Sequence, residues 1–302
     1  MPVERLGGDA ERAIASVLQQ EAPFPFELIV VSAAPLEPAS TGVRNVIEAN
    51  RNPATRRNRA VSVAEGDILA FIDDDARADP HWLASACAYL DSHPDVVALG
   101  GPDPAPDDST TAELVADTLL AAPLIGSGIA AHENRPGVFR IKSASDVALV
   151  NLFVRRELFE GFDESIGYIG EDTALLERLM TKGPVVYHSG VRVYHRRRAF
   201  PRDYLAQRWR YRVKTGELLA RGRKTNRDKI VLFLIAGTLA FLFAPLIVFP
   251  YYLATFVLAV TVTRLPKSYW PILPFAFAAH HVTYFSAIIW GWFRARFLSA
   301  GE

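Results

Sequence analysis

Two long stretches without a charged residue do most to limit what this chain can fold into. Ile230 to Thr263 is 34 residues without Asp, Glu, Lys or Arg, and Ser268 to Phe293 is another 26. About 20 apolar residues cross a bilayer, and uncharged runs of this length seldom occur in soluble domains. The second run suits one membrane helix, with Tyr269, Trp270, Trp290 and Trp292 near its ends, where interfacial aromatics belong. The first is too long for one upright span, and Pro245 and Pro250 near its middle favour a tight hairpin of short helices.

Charge elsewhere is just as uneven. Residues 1–191 hold 15 Lys and Arg against 29 Asp and Glu, residues 192–229 hold 14 against 3, and the remainder 4 against 1. The chain therefore reads as an acidic body, a basic collar and a nearly uncharged tail. Arg221, Arg223, Lys224, Arg227 and Lys229 abut the first uncharged run, so the positive-inside rule places that end, and the body before it, in the cytoplasm. Arg264 with Lys267, and Arg294 with Arg296, also favour the cytoplasmic side, which leaves two or three spans open for a multi-pass anchor. Cys87 is the one cysteine, which suits a reducing compartment. The opening MPVERLGGDAERA lacks the apolar core of a secretory signal.

The body alternates helix and strand. Helices are expected over Ala10–Gln20, Asn58–Glu65, from Asp79 (as cap, with Pro80 following) to Ser92, over Ala112–Ala122 and from Glu171 to Gly183. Strands are expected at Phe26–Val31, Ile68–Ile72, Val96–Leu99, Ser145–Val154, Val185–His188 and Val191–His195. Such alternation predicts a mostly parallel sheet flanked by helices, with ligands beyond the carboxyl ends of its strands.

One strand of this set ends unusually. In GDILAFIDDDARADPHWL, the apolar run Ile68–Ile72 leads directly into Asp73, Asp74 and Asp75. Three adjacent carboxylates repel one another. They are either solvated loop acids or ligands for a divalent metal such as Mg²⁺ or Mn²⁺, which accepts carboxylate oxygens and neutralises a diphosphate. The segment resembles the metal-binding segment of glycosyltransferase family 2, inverting enzymes with the GT-A fold. RRNRA (Arg56–Ala60) is similar to that family's Ala-Arg-Asn-x-Gly helix, and VRRELFEGFDESIGYIGEDTALLERL (Val154–Leu179) to its acceptor-site segment, which ends in a Glu-Asp pair.

The resemblance implies a GT-A-like domain over residues 1–215, a juxtamembrane collar over 216–229 and a membrane anchor over 230–297. It implies Asp73 near the donor ribose or the metal's water, with Asp74, Arg57 and Asn58 beside the donor. Asp75, with Asp73, would hold the metal, and Asp172 would be the general base, positioned by Glu171. His195, at the end of an apolar strand, stands where some members use a further metal ligand. Arg208 and Arg210 are candidates for diphosphate or lipid-phosphate contacts. QRWRY (Gln207–Tyr211) has the wrong spacing for the Gln-x-x-Arg-Trp motif of processive members, which argues against a polymerase.

The chain also departs from the family. Its first strand is missing or degenerate, and Ser32, Ala33 and Ala34 stand where an acidic residue would contact uracil. The implied function is transfer of a sugar from a nucleotide donor to a lipid-linked or glycan acceptor in cell-envelope or exopolysaccharide synthesis. Nucleic acid is not among the expected partners, whereas anionic lipid is, at the collar. An inactive membrane-anchored relative and a lipid-binding scaffold built on Arg196–Arg198 are the rivals.

Overall fold

The computed structural model describes residues 1–4, 6–36, 41–126, 129–166, 169–220 and 245–298. The chain divides into two compact units: Met1–Asp107 with Ile129–Arg196, and Asp108–Gly128 with Arg197–Glu302.

The first unit carries α1 (Gly8–Leu18), β1 (Leu28–Ser32), β2 (Val43–Ile47), α2 (Pro53–Val61), β3 (Ile68–Phe71), β4 (Ala76–Ala78), α3 (Trp82–Ser92) and β5 (Ala98–Gly100). In the second unit, α4 is Thr111–Ala121. The first unit resumes with β6 (Val138–Arg140), β7 (Leu152–Arg155), α5 (Glu171–Lys182), β8 (Val185–His188) and β9 (Val193–His195). Among the described residues its main sheet has the order β3-β7-β5-β8-β6. Only β5 and β8 pair in parallel there; β7 lies antiparallel to both β3 and β5, and β6 antiparallel to β8. The expected mostly parallel sheet is thus a mixed one. A strand buried on both faces reads as a short apolar run whichever way it points, so its composition does not carry its direction.

Alternation along these strands builds two core layers. Phe153, Leu99 and Val186 face the layer containing Ile14, Trp82 and Leu90. Their neighbours Leu152, Val154, Ala98, Val185 and Tyr187 face the layer containing Leu175, Leu176 and Leu179 of α5. Trp82 anchors the first layer. Its ring lies 4.6 Å from Phe153, and its indole N–H donates to buried Asn151 at 2.8 Å. β1 and β2 form a separate parallel pair, and Met1–Val3 run along β1 through a parallel bridge at Pro2 and Val31.

Several boundaries move for local reasons. α2 begins at Pro53 because Asn52 caps it, accepting the Ala54 N–H at 3.0 Å. Asp79 does not cap α3 directly: its carboxylate accepts the His81 N–H, and the helix starts at Trp82. α4 starts with a capping box between Thr110 and Glu113.

The second unit continues with α6 (Arg202–Ala220), α7 (Pro245–Val260) and α8 (Leu273–Phe293). Of the two or three spans expected, one helical stretch among the described residues, Lys267–Leu298, is long and apolar enough to cross a membrane. Residues 221–244, holding most of the collar and the start of the first expected span, lie outside the described residues. Gly216 on α6 and Gly291 on α8 allow the two backbones to touch. A Cβ on Gly216 would lie 2.1 Å from the Ile288 carbonyl oxygen, and one on Gly291 2.0 Å from that of Val213. Gly216→Leu is expected to separate this pair and lower the thermal midpoint of detergent-solubilised protein by several degrees. Ala206→Leu, at an exposed position of α6, is the control.

Candidate active site

The three aspartates leave β3 in three directions. The Asp73 carbonyl accepts the Ala76 N–H at 3.2 Å, closing a turn that fans the side chains apart. Asp73 accepts from Arg57 at 3.0 Å. Asp75 faces His195, with Oδ1 and Nε2 3.2 Å apart. Burial, then the charges of Asp75 and Asp73, push the Asp74 carboxyl up to about 6.

Arg57 does more than neutralise Asp73. Its other terminal nitrogen donates to Glu171 at 3.0 Å, in the first turn of α5. One buried guanidinium therefore joins the turn after β3 to the start of α5, and Glu171 lies 114 residues beyond Arg57 itself. Its carbon sits 5.7 Å from the Phe162 ring. Asn58 is spent differently. Its side-chain amide donates to the Phe162 carbonyl at 2.9 Å and the Glu164 carboxylate at 2.8 Å, and its oxygen accepts the Phe162 N–H at 2.8 Å. Asn58 thus clamps the loop before α5, and Asp172 follows Glu171 in that helix's first turn.

Burial, then the neighbouring Asp172, push Glu171 up to about 7 in spite of Arg57. Glu171 and Asp74 both hold protons more tightly in the folded than in the unfolded chain. Their contribution to stability is therefore full below the unfolded values and lost as pH rises through about 6 for Asp74 and about 7 for Glu171. Glu171→Gln, which still accepts from Arg57, is expected to flatten the fall in melting temperature of the metal-free protein as pH rises toward 7. A pH series by calorimetry checks this.

His195 is positioned by the antiparallel ribbon of β4 and β9, which sets it opposite Ala76, the residue after Asp75. Beyond the ring lies Asp103, a residue the sequence reading did not single out. It has 0 % exposure, accepts from His132 Nδ1 at 2.7 Å and places its other oxygen 3.5 Å from His195 Nδ1. The available signal was Gly100-Gly101-Pro102-Asp103, an acid just past the carboxyl end of a buried strand. A proton on Nδ1, facing Asp103, leaves the Nε2 lone pair for a cation on the Asp75 side.

The expected ligand set of Asp73, Asp75 and His195 does not converge. Among the described residues no group of three or more acidic, histidine or cysteine side chains is arranged to hold a metal, because Asp73 is turned to Arg57. Asp75 with His195 still suits Mg²⁺ or Mn²⁺, ions that use one or two protein ligands and take the rest from water and substrate phosphates.

Other residues singled out from the sequence have contacts of their own. Arg208 and Arg210 belong to the second unit. Arg208 lies over the rings of Tyr204 and Tyr211 at 5.5 and 5.1 Å and bonds Gln207, and Arg210 is exposed. In the first unit Ser32 is 2 % exposed, its hydroxyl engaged with the Ala34 carbonyl and the Asn45 amide.

Residues 7–138 match the model of Glycosyl transferase family 2. Over these residues, a little under half of the chain, the sequence is similar to that family. The fold is accordingly a GT-A-like α/β one, and the activity of the family is glycosyl transfer. A glucosyl-dolichyl phosphate glucuronosyltransferase of Haloferax volcanii is 38% identical over 52 residues, a match that spans 17% of each chain. Among solved structures, the mannosyltransferase PcManGT from Pyrobaculum calidifontis, in complex with GDP-Man and Mn²⁺, is 18% identical, covering 100% of this chain and 74% of that one at a TM-score of 0.48. Residues 1–349 of S. aureus TarS are 14% identical, covering 95% of this chain and 88% of that one at a TM-score of 0.47. Arg57 ties the Asp73–Asp75 turn, which lies within the matched residues, to the Glu171-Asp172 pair beyond them.

Proposed function

We propose that this protein is an inverting, metal-dependent glycosyltransferase that moves a sugar from a nucleotide-sugar donor to a membrane-associated, polyprenyl-linked acceptor. The observation that carries this reading is the pair of hydrogen-bonded ion pairs that Arg57 makes, one to Asp73 and one to Glu171, at 3.0 Å each. It brings an acidic turn suited to a diphosphate-bound cation next to the carboxylates of α5. Displacing a diphosphate requires charge neutralisation on the leaving side and a base on the attacking side.

Asp172 accepts the proton of the acceptor hydroxyl as its oxygen bonds to the anomeric carbon. The bond from that carbon to the diphosphate oxygen breaks on the opposite face, which inverts the centre. Glu171, held by Arg57, keeps the first turn of α5 in place. Asp75 and His195 would hold Mg²⁺ or Mn²⁺, which supplies neutralisation of the leaving diphosphate. The short likeness to a glucuronosyltransferase named for a dolichyl phosphate substrate supports a lipid-linked acceptor, and a membrane seat raises the local concentration of one.

Calorimetric titration of detergent-solubilised protein with UDP-, GDP- and dTDP-sugars, with Mn²⁺ or with EDTA, tests this. Metal-dependent binding of one donor, lost in Asp75→Ala, supports the reading. Absence of donor binding by folded protein sinks it in favour of an inactive, glycosyltransferase-like partner, the reading that the internally engaged Ser32 favours. Asp103→Asn is expected to weaken Mn²⁺ binding by roughly 10- to 100-fold, because the amide no longer holds the His195 ring in one tautomer. Electron paramagnetic resonance of free Mn²⁺ measures the loss; unchanged affinity would remove Asp103 from the site.

A further inference from the structure

We propose that α8 does not cross the bilayer, and that α7 and α8 lie in the cytoplasmic face of an anionic membrane with both ends of α8 on that side. The inference rests on the membrane-associated reading above, and its test separates the two.

The first observation is the company α8 keeps. α6 runs alongside it in the same direction. Tyr204 meets His280 at 2.9 Å, the Arg212 guanidinium lies 4.1 Å from the Tyr284 ring centre, Gly216 and Gly291 bring the backbones together, and Glu217 pairs with Arg294. Two helices locked over this length enter a membrane together or not at all. α6 carries Arg202, Asp203, Arg208, Arg210, Arg212, Lys214 and Glu217 within its 19 residues. An Arg or Lys at the bilayer centre costs about 2.5–3.5 kcal/mol on the insertion scale, and α6 would bring several. α8 is about 32 Å long, enough to cross alone, but its partner forbids it.

The second observation is independent of packing. Arg264 and Lys267 precede α8, and Arg294 and Arg296 follow it. Cations at both ends favour the cytoplasmic side for both ends, which a single crossing cannot satisfy.

The third observation identifies the occupant of the exposed face. On α8, Phe275, Val282, Ile289 and Phe293 are exposed at spacings of seven, seven and four residues, which places them on one stripe. On α7, Phe249, Leu253 and Val257 are exposed four apart. The two helices meet where the rings of Tyr252 and Phe275 lie 5.5 Å apart. The other side of α8 is buried on α4 and α6, through Phe277 with Leu119 and Tyr204. On α6 the exposed residues include Trp209, Arg210 and Tyr211. Apolar stripes beside aromatic and cationic side chains are the composition of an in-plane interfacial helix, and the net positive charge of residues 192–229 suits an anionic headgroup layer.

The full chain, with Cys87→Ala, would be expressed in a bacterial host carrying one new cysteine: Ser92→Cys as a marker of the first unit, Ser268→Cys before α8, or Leu298→Cys after it. Membranes would be labelled with a bilayer-impermeant maleimide, from outside on spheroplasts and from the cytoplasmic side on inverted vesicles. All three sites are expected to label only in inverted vesicles. Labelling of positions 268 and 298 from opposite sides would overturn the proposal, as would recovery of the chain entirely in the soluble fraction. Same-side labelling by a protein that binds no sugar nucleotide would leave the proposal standing while the transferase reading fell.

Discussion

Asp172→Asn is expected to lower the transfer rate by roughly 10²- to 10⁴-fold, the range a positioned general base supplies, while leaving donor affinity unchanged. The asparagine keeps the size of the side chain and the oxygen that accepts the Thr173 N–H at 2.7 Å, so the first turn of α5 persists. It loses the ability to take a proton. Glu171→Gln should behave differently, because Glu171 is buried and held by Arg57 rather than offered to an acceptor. Its loss of rate should be smaller, and its clearest signature is the altered pH dependence of stability. Single-turnover transfer with saturating donor, alongside calorimetric donor binding, distinguishes the two. Wild-type-like turnover in Asp172→Asn would move the base elsewhere.

Gly101→Ala is expected to be the most damaging single methyl in the first unit. The added Cβ would lie 1.8 Å from the Val191 carbonyl oxygen and 2.7 Å from that of His188, both backbone atoms. The Val191 carbonyl cannot simply move aside. It accepts from the Asn151 amide at 2.8 Å, and Asn151 in turn accepts from Trp82. Overpacking against a held backbone costs about 3 kcal/mol or more, which lowers the melting temperature by roughly 10 °C for a unit of this size. The damage reaches the site as well. Gly101 is two residues from Asp103, and the Pro104 carbonyl accepts the His195 N–H at 2.9 Å. Mn²⁺ affinity should therefore fall in whatever fraction stays folded. A melting temperature within about 2 °C of wild type would show that the turn from His188 to Val191 yields more readily than its bonds imply.

What could be read from residues alone was chemistry of short range. A strand ending in three aspartates, a helix opening on Glu171-Asp172, Gly183 closing it, and the uncharged run from Ser268 to Phe293 are each local patterns. Each survives in the structure because local propensity and local burial agree there. The directions of strands, the start of α2 and the starting residue of α3 were less legible, since apolar runs look alike either way and a cap depends on which side chain reaches which amide.

Asp103 shows why the site was only half visible. Its neighbours Asp107 and Asp108 are also acids in the same loop, and nothing in composition separates one from the others. The β4–β9 ribbon makes the difference by bringing His195 beside Asp75 and burying Asp103 beneath both histidines. The tail teaches the same lesson at larger scale. Its sequence determined that α8 would be apolar and long, with cations at both ends. Only tertiary structure decided that a helix carrying seven charges would lie parallel along it. That pairing changes the energetics of entering a bilayer, because the solvation cost falls on the pair and not on α8 alone.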